Sequence, residues 1–193
     1  MHKIHITNGI VLGKRGVGEA NTLAVFLTQE LGLVQARAQS ARAEKSKLRY
    51  GLEPLSLGRF SFVKGKHEWR LTGAVNISRG FVSASVIRRG AMGRVSRLLL
   101  RLIHGQEPVP EIYASIVNGF DFIANAEHDI EAQSAECVLV LRVLSHLGYL
   151  PRHPELTPFV EAPLFSLELA AMAKESRPLL IRAINKSLEA TGL

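Results

Sequence analysis

Apolar and polar residues alternate through roughly the first eighty positions, and from Phe81 onward the pattern moves to a helical period. Ile4, Ile6, Ile10 and Leu12 hold the even positions of a first strand over 4–12, with Gly9 marking a bulge or a close contact. Gly13, Gly16 and Gly18 then supply a turn. The β-branched and aromatic run Thr22–Thr28 predicts a second strand, although Leu23, Phe26 and Leu27 also fit a helical period. Residues 29–32 form a short hairpin connection into a third strand over 33–41. There Val34, Ala36 and Ala38 face a core, and Gln35, Arg37 and Gln39 face outward. Strands over 57–64 and 69–77 form a hairpin across Gly65, Lys66, His67 and Glu68. Trp69, Leu71, Val75 and Ile77 share its apolar side, opposite Arg70, Thr72 and Asn76.

Five short strands with glycines at the bends predict a small closed or partly open barrel, for which an OB-fold and an SH3-like barrel are both admissible. Beyond it, Met92, Val95, Leu98, Leu99, Leu102 and Ile103 line one side of a helix, with Arg94, Arg97 and Arg101 on the other. Pro108 and Pro110 punctuate the chain before a second helix over 111–124. A third, over 134–147, is apolar on nearly every side, which makes it the central helix of a bundle. It ends at Gly148 with Pro151 beyond, and Arg142 within it requires a buried acid or carbonyl partner. Helices over 166–175 and 177–190 complete the chain. The fold class expected is α+β: a five-stranded barrel over 1–80, with the OB-fold as its obvious candidate, followed by an all-α helical domain over 81–193.

Composition adds a core-forming chain of 193 residues, 47% hydrophobic and 21% charged. Its apolar runs are too short for a secretion signal or a membrane span, so a soluble, cytoplasmic protein is expected. The single cysteine, Cys137, excludes an internal disulfide and a cysteine-based zinc site, and its apolar neighbours mark it as core filler.

Charge changes the picture more. Residues 1–105 carry 18 Lys/Arg against 5 Asp/Glu, a net +13, whereas residues 106–193 carry 6 against 12, a net −6. A front half with that excess calls for a polyanion, nucleic acid before membrane. Its densest stretch is the arm between the third and fourth strands, where Arg42, Lys45, Lys47 and Arg49 stand against Glu44 alone. Lys14 and Arg15 in the first glycine-rich turn, Arg37 on the third strand, and Arg88, Arg89, Arg94, Arg97 and Arg101 on the first helix extend the expected phosphate-tracking surface. Phe60, Phe62 and Trp69 are spaced as core residues, which leaves Tyr50 in the arm as the candidate for stacking on a base.

Enzyme chemistry finds no footing. The glycines over 13–18 match neither a Walker A nor a dinucleotide-binding pattern. The seven histidines have no metal-ligand spacing, His128-Asp129 reads as a solvated loop, and no serine or cysteine sits in a nucleophile motif. No catalytic residue, metal or cofactor is therefore expected. The rival reading is a protein-docking adaptor whose basic face meets an acidic protein partner.

Several segments carry a family resemblance: Gly9-Ile10-Val11-Leu12, Gly18-Glu19-Ala20, the stretch Phe26–Gly32, Ala36-Arg37-Ala38 with Ala41-Arg42, Lys45-Ser46-Lys47-Leu48 and Leu52-Glu53-Pro54. In this order and spacing they resemble the N-terminal domain of the RecO recombination mediators. The stretch Leu139–Pro151 resembles that family's central helix with its Leu-Gly-Tyr-x-Pro exit, and the tail over 177–193 its last helix. The resemblance implies an OB-fold followed by a helical domain, without enzymatic turnover. It also implies binding of single- and double-stranded DNA, strand annealing, and help in loading recombinase onto strands coated by single-strand-binding protein, together with a RecR partner. Such a protein would be cytoplasmic, and nucleoid-associated when bound to DNA. The helical domain would accept the acidic, apolar tail of single-strand-binding protein, with Arg142, Lys174, Arg182 and Lys186 as candidate cations for its terminal carboxylate.

The departures are specific. Residues 152–162 lack the cysteine-rich zinc motif of many members, and the helical domain is trimmed between Pro151 and Ser166. Gln39 and Ser40 stand where the family often has lysine and glycine.

Overall fold

In a computed structural model, which describes residues 3–46, 48–78 and 80–192, the chain forms two compact units. The first comprises Met1–Ser83 with Ile103–Pro110, and the second comprises Ala84–Leu102 with Glu111–Leu193.

The first unit is a closed five-stranded barrel built from β1 (Ile4–Val17), β2 (Asn21–Thr28), β3 (Gly32–Ala38), β4 (Leu57–Lys64) and β5 (Trp69–Ser78). The strand order is β1-β2-β3-β5-β4, with β4 closing on β1 and a single parallel pairing, β3 with β5. This is the OB-type arrangement that the strand pattern admitted. Its interior mixes large and small side chains. Phe26, Phe60 and Phe62 are fully buried, and their ring centroids lie 4.8 to 6.2 Å apart. Ala24, Ala36 and Ala38 on the adjoining strands leave room for these rings. Trp69 closes one end, with its ring edge-on to Phe62 at 6.3 Å.

Two expectations for the strands are corrected. The first strand does not stop at Leu12 but runs to Val17, with an irregularity between Val11 and Gly13. Its inward positions up to that point are odd. Val11 lies in the barrel core, and a Cβ on Gly9 would sit 3.0 Å from the Leu27 carbonyl and 3.3 Å from Phe60. Ile4 and Ile6 are consequently 59% and 62% exposed, while Ile10 and Leu12 are buried on the strand's other side. The second correction lies in β5. Ser61 pairs with Gly73 but Phe62 pairs with Leu71, so Thr72 is the extra residue of a bulge that reverses the alternation. Ala74 turns toward the core and Val75 is 68% exposed. The side chains of Asn76 and Ile77 lie outside the description.

The β2–β3 turn is held by two bonds at Thr28, whose hydroxyl donates to the Gly32 carbonyl and accepts from the Leu31 N–H. Gly32 has φ +65°, and a Cβ there would lie 2.4 Å from the Glu107 carbonyl oxygen. Only glycine meets both demands.

The second unit is helical. It follows the single-turn helix α1 (Gly80–Ser83) and contains α2 (Val86–Leu102), α3 (Pro110–Asn125), α4 (Asp129–His146), α5 (Thr157–Glu161), α6 (Leu167–Glu175) and α7 (Arg177–Ala190). α4 packs against α2, α5, α6 and α7, which makes it the central helix its apolar composition demands. Gly119 of α3 lies against it so closely that a Cβ would be 2.8 Å from the Leu139 side chain. His128 is exposed in the bend that precedes α4. It is the N-cap residue, and its N–H bonds the Glu131 carboxylate while the Glu131 N–H bonds the His128 carbonyl. At the other end Gly148 adopts φ +77°, and the N–H groups of Leu147, Gly148 and Tyr149 bond the carbonyls of Val143, Ser145 and Leu144. Among the described residues no helix is long and apolar enough to cross a membrane.

Candidate nucleic-acid interface

The basic arm between β3 and β4 is pinned to the barrel by its apolar residues. Ala41 and Leu52 are buried in the barrel core and Leu48 packs against it. The arm enters through Ser40, at φ +51°, whose N–H bonds Asn21 Oδ1 at 3.0 Å; the Arg42 N–H then bonds the Ala20 carbonyl at 2.9 Å. That left-handed backbone is one that favours glycine. A 3-10 turn over Arg49–Leu52 buries Leu52 and leaves Tyr50 61% exposed. The arm leaves through Leu55, whose N–H bonds the Val11 carbonyl at 2.7 Å.

The pinned arm and the end of the β1–β2 hairpin enclose a cleft of about 740 Å3, lined by Lys14, Arg15, Gly16, Thr22, Ala41, Arg42, Arg49, Leu52 and Glu53. Four of the expected phosphate contacts therefore share one concavity. Lys14 Nζ pairs with Glu53 at 2.9 Å, so this cation and anion offset one another. Arg42 lies over Gly16, where a Cβ would stand 3.0 Å from Nη1, and it donates to the Gly18 carbonyl at 3.2 Å. Gly16 thus serves as the bed of a guanidinium, a role its place in the glycine run does not reveal. No hydrogen bond or ion pair engages the Arg15 or Arg49 side chain among the described residues.

The other cations separate into distinct groups. Arg37 on β3 pairs with Glu68 of the β4–β5 turn at 2.9 Å, and Lys45 is exposed on the arm. Lys47 lies outside the described residues. On α2, Arg94 is engaged by Glu136 through Nε at 2.7 Å and Nη2 at 2.8 Å, and this carboxylate holds the guanidinium above its ordinary pKa. Arg88 spans the end of α3, donating to the carbonyls of Ala124 and Glu127 and lying 3.7 Å from Asp129. Arg88 and Arg94 therefore brace the helical unit. Arg89, Arg97 and Arg101 are exposed along the same helix.

The four cations assigned to a partner tail also part company. Arg182 and Lys186 line one apolar groove of about 280 Å3 with His153, Pro151, Leu156, Leu179 and Ala183. Lys174 lines a different groove with Ile130 and Leu167. Arg142 is 3% exposed and faces the interior: Nε donates to the Phe159 carbonyl at 2.9 Å, and the guanidinium lies 4.4 Å over the Phe165 ring. The carbonyl partner it required is thus Phe159, and burial lowers its pKa. As a tail-reading cation Arg142 is placed wrongly; it belongs to the packing of α4 against α5. Burial also pushes the Cys137 thiol up, beside Arg177 in a third groove.

The chain is thus a closed OB-type barrel with a cation-lined cleft, joined in sequence to a helical unit. Residues 1–79 match the family described as "Recombination protein O N terminal". The chain is 27% identical over 150 residues to the DNA repair protein RecO of Heliobacterium modesticaldum, covering 77% of this chain and 53% of that one. It is 29% identical over 150 residues to the DNA repair protein RecO of Thermodesulfovibrio yellowstonii, covering 75% and 58%. With that of Gloeothece citriformis it shares 32% identity over 114 residues, covering 58% and 40%. The chain spans about half the length of the curated relatives it matches. The chain is thus similar to the DNA repair proteins RecO, over residues 1–79 by the family match and over 150 residues by the two longer of these pairings.

Proposed function

We propose that this chain is a recombination mediator. It binds single- and double-stranded DNA without sequence preference, anneals complementary strands, and helps load recombinase onto strands coated by single-strand-binding protein, together with a RecR-type partner. The observation that carries the DNA-binding step is the cleft on the barrel, where Arg15, Arg42 and Arg49 gather around one concavity and the one lining acid, Glu53, is held by Lys14. Guanidinium groups suit phosphate because their fork of N–H donors engages two oxygens at once. Exposed Lys45 and Tyr50, with half-buried Arg37 beside Glu68, extend contact along a strand, Tyr50 by stacking on a base.

Annealing asks for no bond-making residue. Cations that neutralise phosphates on two strands remove the repulsion between them, and contacts confined to the backbone leave base edges open for pairing. Mixing complementary oligonucleotides in a stopped-flow fluorimeter tests this step. Stoichiometric protein is expected to raise the pairing rate by about tenfold or more at low salt. An unchanged rate with both strands bound would remove annealing from the function.

The helical unit takes the acidic tail of single-strand-binding protein in the groove of Leu156, Leu179 and Ala183, with Arg182 and Lys186 meeting its carboxylates. A tail peptide with a free C-terminus is expected to bind at low salt and to lose about tenfold in affinity to an Arg182→Glu/Lys186→Glu chain, as charge reversal at a recognition site does. Equal binding by both chains, measured calorimetrically, would move the tail elsewhere.

A further inference from the structure

The barrel cleft differs from a flat basic stripe in being concave. Its volume of about 740 Å3 falls within the range of pockets that enclose small ligands, about 300–1,000 Å3. Its charge is also uneven. Lys14 and Glu53 offset one another, which leaves three guanidiniums, those of Arg15, Arg42 and Arg49, around one space. A phosphodiester brings a single negative charge, whereas a phosphate monoester carries about −1.5 to −2 at neutral pH and offers three acceptor oxygens.

Arg42 is set in advance. Its guanidinium rests over Gly16 and bonds the Gly18 carbonyl, and its own N–H is fixed to Ala20, so little freedom remains for a ligand to remove. The apolar lining is aliphatic, from Ala41 and Leu52, with no aromatic ring among the lining residues. A base entering the cleft would find only aliphatic carbon to stack on, whereas a phosphate would meet the guanidiniums, so the phosphate carries the recognition.

We infer that this cleft receives a phosphate monoester at the end of a DNA strand, seated on Arg15, Arg42 and Arg49. The inference rests on the strand-binding reading above and makes it end-selective: the cleft holds the phosphorylated terminus while the rest of the arm follows the adjoining backbone. The same chemistry is offered by a free nucleoside monophosphate, and the two sources are separable.

The test compares three oligonucleotides of one sequence in an anisotropy titration: one with a 5′-phosphate, one with a 3′-phosphate and one with hydroxyls at both ends, each labelled internally. A phosphorylated end is expected to bind about fivefold more tightly than the hydroxyl form, the effect of one added charge contact of about 1 kcal/mol near solvent. The preference should vanish in Arg15→Gln/Arg49→Gln. It should also shrink between pH 7.5 and pH 5, as the monoester takes up the proton whose pKa is about 6. No histidine lines the cleft, so that change reports the ligand.

Equal affinity for all three ends would overturn end recognition and leave strand binding standing. Binding of none of them at low salt would remove both. Displacement by a nucleoside 5′-monophosphate at the oligonucleotide's own concentration would assign the cleft to free nucleotide and overturn the strand-end assignment.

Discussion

Gly32→Ala is expected to destabilise the barrel by about 3 kcal/mol or more, through two effects that act at one atom. At φ +65° a Cβ meets its own backbone, which costs an L-residue about 1–2 kcal/mol. The same Cβ would lie 2.4 Å from the Glu107 carbonyl oxygen and 3.0 Å from the Gln106 carbonyl carbon. These are backbone atoms that can yield only by displacing the segment over 103–110, and such overpacking costs a further 1–3 kcal/mol or so. Together they remove a large part of the roughly 5–15 kcal/mol that holds a domain folded. Trp69 is the single tryptophan and is buried in the barrel, so urea denaturation followed by its fluorescence reads this unit directly. Gly18→Ala is the control, because Gly18 has a similar φ of +61° with nothing within 4 Å of its Cβ position, so only the conformational part should appear. A midpoint for Gly32→Ala equal to that of Gly18→Ala would mean that 103–110 does not constrain the turn.

The second large effect concerns binding. Removing the cleft's three guanidiniums in Arg15→Gln/Arg42→Gln/Arg49→Gln should weaken single-stranded DNA binding about 100-fold at 0.1 M salt. It should also reduce the magnitude of the salt slope by about 2, since each phosphate neutralised on a single strand contributes about 0.7 to that slope. A parallel Arg88→Gln/Arg94→Gln chain should keep its DNA affinity and salt slope. Those side chains are engaged by Ala124, Glu127, Asp129 and Glu136, so their loss should appear as altered stability of the helical unit. The contrast separates cations that face a ligand from cations that face the protein.

How much of this was legible follows from where each signal lies in the chain. The third strand was, because Val34, Ala36 and Ala38 alternate without interruption, and so were the Phe60 and Phe62 core positions. The central helix was legible from its near-continuous apolar surface, as was the need for a partner at Arg142. The fifth strand was misread in part because one inserted residue exchanges the inward and outward sets, and the first because its isoleucines lie on the strand's outer side, ahead of its irregularity at Leu12. Nothing local at Leu12 or Thr72 announces the insertion; the pairing strand determines it.

The site was legible as composition and hidden as geometry. The arm's cations stand out in the sequence, but it is Ala41, Leu48 and Leu52 that fasten the arm to the barrel and turn a charged loop into a wall of a cleft. Arg88 and Arg94 looked equivalent to Arg97 and Arg101 because the groups that engage them lie 36 to 42 residues downstream, the ion-pair acids being Asp129 and Glu136. Helical period shows that a residue faces outward from its own helix, not what stands opposite.

The most direct measurement is the affinity of the full chain for a labelled single-stranded oligonucleotide of arbitrary sequence, followed by anisotropy across a range of salt concentrations, with unlabelled DNA of unrelated sequence as competitor. Binding that weakens steeply with salt and is displaced equally by unrelated sequences is the result expected of a cleft that reads phosphate. No binding at low salt, or binding that unrelated DNA fails to displace, would contradict the assignment of the barrel's basic face to DNA strands.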